Sequence, residues 1–304
     1  MNTKVPNYWD YLKLADLLTL QGGLEDDETA LETDELHFII THQSLELWFK
    51  LILAELREAR DHLAGPLLPE KQVPRVVYHI RRVNAILRLA TQTFSVMETL
   101  TPQDFLSFRD KLTPASGFQS FQMREIELIL GIDWPKRIKY GSVDPLDHIR
   151  KLAKDSPAGT LALERIENVL KETSLRGALH QWLSRTPIQG SRHTDPDDAE
   201  NIQTFLSNYV AAVEKHHTLQ ANRLIESSVG KAEEIEKKFQ AQTKGAKDYI
   251  YAEDIEDVTQ RRFVTRYRAA LIFIESYRDL PLLAWPRTLI DAVVELESEM
   301  VMFR

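Results

Sequence analysis

The chain has 304 residues, 43% of them apolar, a formal net charge of -8 and no cysteine. That length supplies ample material for a core, while the missing cysteine excludes disulfides, thiolate nucleophiles, zinc ribbons and iron-sulfur clusters and fits a reducing compartment. The acidic balance argues against a general nucleic-acid partner, and no stretch approaches the roughly 20 apolar residues of a membrane span or has the form of a secretory leader, so a cytoplasmic protein is expected.

The N-terminal 35 residues begin with an aromatic cluster, Tyr8, Trp9 and Tyr11. A short apolar helix with Leu12, Leu14, Leu17 and Leu18 follows, then the acidic loop GLEDDETALETDE. Such an arm must dock, either on its own subunit or across an oligomer interface, where Tyr and Trp are enriched.

The stretch from Leu36 to Leu63 has apolar residues on nearly every face, among them Phe38, Ile39, Ile40, Leu45, Leu47, Trp48, Phe49 and Leu51. This predicts one long helix in the middle of a core. His42 lies one turn after Phe38, on the same face. It is either a core histidine satisfied by a neighbouring carbonyl or a functional ring nitrogen beside an aromatic wall.

From Val76 to Met97 the apolar positions Val76, Ile80, Val83, Leu87, Ala90, Phe94 and Met97 alternate steps of four and three, an amphipathic helix whose Arg81, Arg82 and Arg88 make a solvated face. In TPQDFLSFRDKL, Thr101 is placed to cap a helix, with Pro102 in its first turn and Asp104 completing the capping pattern. Phe105 and Arg109 then share a face, Arg109 being either a surface residue with a packed stem or a carboxylate anchor beside an apolar pocket. A Gly-containing loop with Ser116 leads into an amphipathic helix ending at Gly131.

Pro135 and Pro145 break any long helix between 134 and 155. Helical patterns resume from about Thr160 to Leu183 and again after DPDDAEN, with Ile202, Phe205, Leu206, Tyr209 and Val213 along one face. The charged KAEEIEKKFQAQTKGAKD, ending near Gly245, reads as an exposed helical end and a mobile loop. His216 and His217 are adjacent, hence on different faces, and are assigned to solvent, because helical metal pairs need wider spacing. The last segment keeps the four-three alternation through Leu289, Val293, Leu296, Met300 and Phe303 without a terminating signal. With no useful period-2 run or long internal repeat, the fold class is all-α and a single domain over 1–304, a helix-bundle core with an N-terminal arm.

Several segments together resemble the tryptophan 2,3-dioxygenase family of haem enzymes. They are NYWDYLKLADLL, LHFIITHQSLELWFKLIL, FSVMETLTPQDFLSFRDKLTPASGFQSFQMREIELILG, QWLSRTP and the closing MVMFR, in the family's order. The resemblance implies opening of the indole ring of L-tryptophan by O2 to N-formyl-L-kynurenine, haem b as the iron cofactor, and a homotetramer. It implies that His42 hydrogen-bonds the indole N–H, that Phe38 walls the indole pocket together with Ile39, Ile40 and Thr41, and that Phe105 touches the substrate. Arg109 would clamp the substrate carboxylate, Ser116 would approach a haem propionate, and Tyr8, Tyr11 and Leu12 would reach a neighbouring subunit's pocket. Phe303 and Arg304 correspond to a tryptophan-arginine pair that in the family precedes the iron-ligating histidine and a Gly-rich loop. The axial histidine is therefore expected just beyond Arg304, in a longer protein, because His193, His216 and His217 do not match it. Two alternatives are a relative that mono-oxygenates another aromatic amino acid and a helical oligomer that binds one without turnover.

Overall fold

The structure is a computed structural model and describes residues 7–113, 115–132, 145–153, 157–227 and 231–304. Among them there is no strand, only an isolated bridge between Ile188 and Ser191. The all-α expectation holds. The α-helices are α1 (Tyr8–Leu12), α2 (Leu14–Leu17), α3 (Thr33–Ala64), α4 (Val73–Met97), α5 (Pro102–Leu112), α6 (Phe121–Leu130) and α7 (Pro145–Leu152). They continue with α8 (Pro157–Val169), α9 (Leu175–Arg185), α10 (Asp198–Ser227), α11 (Ala232–Ile250), α12 (Val258–Ser276) and α13 (Ala284–Phe303). None of the described helices is long and apolar enough to cross a membrane. The contacts divide the chain into two compact units, one made of residues up to Ala59, Val77–Ser174 and Ala292–Arg304, the other of Arg60–Val76 and Leu175–Asp291.

In the first unit the core is built on α3 and α4. Ile52, Leu56, Val77, Ile80, Val83 and Ala90 have no exposed surface, which is what the four-three spacing on α4 requires of a helix packed along one stripe. Asn84, also fully buried, donates from Nδ2 to the Ala292 carbonyl and to Glu295 Oε2, both at 3.0 Å, tying α4 to α13. The arginine face of α4 is solvated as expected, with Arg81, Arg82 and Arg88 all exposed, and it carries surface ion pairs, Arg82 with Glu55 at 2.7 Å and Arg88 with Glu295 at 2.6 Å. One sequence expectation needs correction: α3 is not buried all round, since Ile40 is 48% exposed, Leu47 52% and Leu51 37%. Their spacing puts them on one face, so an apolar stripe of this chain stays uncovered.

Helix α6 is likewise not amphipathic, because Gln122, Arg124, Glu125 and Glu127 are buried along with Met123, Ile126 and Ile129. Burying a carboxylate is tolerated when it is paired and hydrogen-bonded. Glu125, with no exposed surface, meets that condition through Arg165, which approaches with Nε at 2.6 Å and Nη2 at 3.1 Å, and through Arg57 at 3.3 Å. The helix ends where expected, with Gly131 in the left-handed region at φ 82° and its N–H returned to the carbonyls of the last turn. The proline break at Pro135 lies outside the described residues, while Pro145 opens α7.

In the second unit α9 packs on α12, with Ala178, Ala269, Ala270 and Ile274 fully buried. The charged segment after residue 230 is a full helix, α11, running through Gly245. It is held against α10: His217 Nδ1 lies 2.7 Å from Thr243 Oγ1, the His217 and Phe239 rings are 5.8 Å apart, and Lys247 pairs with Glu214. A glycine costs a helix about 1 kcal/mol, which this tertiary contact outweighs. His217 therefore faces a helix partner and not open solvent, whereas His216 is exposed.

Acid should loosen the first unit. Burial alone would push the Glu55 carboxyl up, but hydrogen bonds from His79 and Arg82 outweigh it and hold the carboxyl below its ordinary value of 4.5. A carboxyl depressed on folding stabilises the fold above its unfolded value, and that stability is lost as pH falls through the folded one. Denaturant midpoints of the wild type should thus fall as the pH is taken below about 4.5. Glu55→Gln should be less stable at neutral pH and flatter in that range, and a parallel pH profile for the two proteins would contradict the assignment.

Candidate functional site

Residues 38 to 45 of α3 set up the site through helical geometry. Phe38, Thr41, His42 and Leu45 fall at i, i+3, i+4 and i+7, and all four line one cavity of about 450 Å³ in the first unit. Its other walls come from Thr93, Phe94 and Met97 at the end of α4 and from Leu100, Thr101, Pro102 and Phe105 at the start of α5. The size falls within the range of small-molecule sites, roughly 300 to 1,000 Å³.

The start of α5 is fixed by its cap. Thr101 Oγ1 accepts from the Asp104 N–H at 3.2 Å and donates to Asp104 Oδ2 at 2.6 Å. This closes the first turn and presents Phe105 toward Phe38. The rings of Phe38, Phe105 and Phe108 form a triad with centroid separations of 5.9, 5.7 and 5.5 Å. Phe108 is fully buried, so the two cavity-lining rings are backed by a third that cannot move without opening the core. Edge and tilted ring contacts of this kind add about 0.5 to 1.5 kcal/mol each beyond burial.

His42 Nδ1 lies 2.8 Å from the Phe38 carbonyl oxygen, and the imidazole is centred 4.0 Å from the Phe38 ring. A carbonyl only accepts, so Nδ1 carries the proton, and in the neutral tautomer that this bond selects Nε2 is the acceptor. The sequence left open a carbonyl-bonded core histidine and a functional one. The structure gives both features at once, since the carbonyl bond orients a half-buried ring that lines the cavity. Among the described residues no carboxylate lines this cavity, and the polar side chains lining it are that imidazole and the hydroxyls of Thr41, Thr93 and Thr101. The donor set suits a flat, largely apolar group carrying one N–H better than a hydrated cation.

The remaining residues singled out in the sequence are placed differently. Ile39 and Ile40 do not line the cavity, because each step along a helix turns the side chain by 100°, and Ile40 faces outward. Arg109 is exposed, with its guanidinium carbon 5.2 Å from the centre of the Phe105 ring. Among the described residues no carboxylate pairs with it, so the guanidinium is held beside the cavity by its ring contact. Ser116 is exposed in the loop before α6 and is not in the lining. Tyr8, Tyr11 and Leu12 are 70%, 79% and 41% exposed, and α1 and α2 contain no buried residue. The first turn of the arm therefore buries nothing on its own unit, whereas further along Gln21 and the Leu20 carbonyl are hydrogen-bonded to Gln43 of α3 at 2.8 and 2.7 Å.

Sequence reasoning missed Phe94, Met97 and Phe108 as parts of this site. Phe94 and Met97 are the last two members of the α4 stripe, and Phe94 is 42% exposed whereas the preceding members Val83, Leu87 and Ala90 are buried. An apolar stripe that outruns its core was the available signal.

With the geometry in hand, comparison with known proteins is specific. A family model described as "Tryptophan 2,3-dioxygenase" matches residues 2–304. The chain is 41% identical over 311 aligned residues to a "Tryptophan 2,3-dioxygenase" of Sorangium cellulosum, covering 99% of this chain and 73% of that one. It is 40% identical to the "Tryptophan 2,3-dioxygenase 2" of Ralstonia nicotianae, over 99% of this chain and 81% of that one. To a "Tryptophan 2,3-dioxygenase" of Anopheles gambiae the identity is 32%, over 98% of this chain and 72% of that one. A match that runs along α1 to α13, through the phenylalanine-walled cavity and its oriented histidine, places this chain in the tryptophan 2,3-dioxygenase family.

Proposed function

We propose that this protein is a haem-dependent dioxygenase that opens the indole ring of L-tryptophan with O2 to give N-formyl-L-kynurenine. The observation that carries the reading is His42, whose Nδ1–H is committed to the Phe38 carbonyl while Nε2 remains an acceptor in a phenylalanine-walled cavity. Nε2 accepts the indole N–H, and Phe38 and Phe105 hold the ring plane. Arg109 takes the substrate carboxylate, for which its planar fork offers two parallel donors. Haem b would lie against the apolar side chains of Leu45, Met97 and Leu100, on the part of the wall away from Phe38, Phe94 and Phe105. Haem, when bound, supplies the activation of O2. The chain's own residues bind and orient the substrate and keep water from it. Ser116, in the loop preceding α6, serves the propionate side, and Ile39 supports the wall from behind the Phe38–Thr41 face.

The working protein is a cytoplasmic homotetramer in this reading. The absence of cysteine fits a reducing compartment. The exposed arm residues Tyr8, Tyr11 and Leu12, with the uncovered stripe Ile40, Leu47 and Leu51, are the surface that a second copy would bury. The arm then completes another subunit's site. Mixing an arm-deleted variant with an Arg109→Leu variant should restore part of the activity that each lacks alone. Independent, unrestored activities, or a monomer by sedimentation at working concentration, would contradict a shared site.

The enzymatic reading is tested by adding L-tryptophan to the haem-loaded protein under nitrogen, which should perturb the Soret band, and then admitting O2, which should consume the substrate. A spectrum indifferent to L-tryptophan would overturn it.

A further inference from the structure

Among the cavity walls, Phe94 draws support from far along the chain. Its ring meets that of Phe303 at 5.7 Å, and Phe303 in turn makes an edge contact with the buried Phe49 at 5.6 Å. Phe303 thus sits between the α3 core and the cavity wall. The next residue is held by charge. Arg304 Nη2 lies 3.4 Å from Glu127 Oε1, and Arg124 Nη1 lies 2.8 Å from Glu127 Oε2, with Glu127 1% exposed. A carboxylate buried between two guanidiniums is expensive to disrupt, so the end of α13 is held by an aromatic contact and an ionic one on consecutive residues.

We infer that Phe303, packed against Phe94, is a positioning residue that sets the width of the indole pocket and so the size of ring the enzyme accepts. This rests on the proposed binding of an indole in that cavity. Phe94 has the cavity on one side and Phe303 on another, so the Phe303 ring limits how far Phe94 can swing away from the cavity in that direction. Close packing makes such a wall sensitive to single carbon atoms, and a pocket discriminates an added methyl group by roughly 10- to 200-fold. Phe303 touches neither substrate nor reacting atoms, and acts through Phe94.

The test measures binding of L-tryptophan and of a ring-methylated L-tryptophan to the anaerobic holoenzyme by calorimetry. Wild type, Phe303→Ala and Phe303→Leu are compared, each first shown to be folded by circular dichroism. Removing the ring should improve the methylated ligand relative to L-tryptophan by roughly tenfold, with Phe303→Leu shifting the same ratio by less. A general loss of stability would weaken both ligands alike and leave the ratio where it was. An unchanged ratio in either folded variant overturns the inference, and Phe303→Leu decides if Phe303→Ala does not fold. A wild type that binds neither ligand would instead remove the functional reading on which the inference rests.

Discussion

Replacing Arg109 by leucine should raise the Michaelis constant for L-tryptophan by roughly 30- to 1,000-fold, equivalent to about 2–4 kcal/mol for the loss of charge-assisted hydrogen bonds. In the structure the guanidinium is exposed, stacked over Phe105 and paired with no carboxylate of the described residues. A guanidinium held in this way, beside an apolar cavity, is placed as the proposed carboxylate anchor requires. The loss should fall on substrates that carry a carboxylate. Tryptamine, which lacks it, should be handled no worse by Arg109→Leu than by wild type. Equal losses for tryptophan and tryptamine would show that Arg109 supports the fold of α5 and not the substrate.

The second large effect is expected at His42. Substitution by alanine should lower turnover by roughly 10- to 1,000-fold, the scale of a positioning or acid–base group, and leave haem content and the ferric spectrum close to wild type. The hydrogen bond from Nδ1 to the Phe38 carbonyl also matches the way metal-binding histidines are oriented, so haem content is the readout that separates the two roles. A His42→Ala protein that no longer retained haem would make His42 an iron ligand. Intermediate turnover with a normal spectrum would keep it as the partner of the indole N–H.

Much of the local structure was legible because local rules govern it. The Thr101 cap, the Gly131 stop and the α4 stripe each follow from two or three residues, and each occurs where the pattern put it. The shared face of Phe38 and His42 was also legible, because helical periodicity needs no tertiary information. Where tertiary packing decides, the sequence was ambiguous. Ile40, Leu47 and Leu51 read as core and face outward, because hydrophobicity says that a residue gains by burial but not whether the packing of the chain reaches it. Arg124, Glu125 and Glu127 read as the polar side of an amphipathic helix and are buried, because the arginines that neutralise the carboxylates include Arg57, Arg165 and Arg304, distant in sequence. Gly245 read as a helix end, yet α11 continues through it, since contacts such as His217 with Thr243 outweigh a propensity of about 1 kcal/mol. The cavity itself was only half legible. Phe38, His42 and Phe105 could be named, but Phe94 and Met97 become walls only because the core stops short of them.

The most direct test of the central claim, that this cavity presents L-tryptophan for dioxygenation, is the mass of the product formed from L-tryptophan under isotopically heavy oxygen gas. The account predicts a single ring-opened product carrying both labelled oxygen atoms. A product with one labelled atom would make the enzyme a mono-oxygenase, and tryptophan recovered unchanged from the haem-loaded protein would leave a binding protein without turnover; either result contradicts the account.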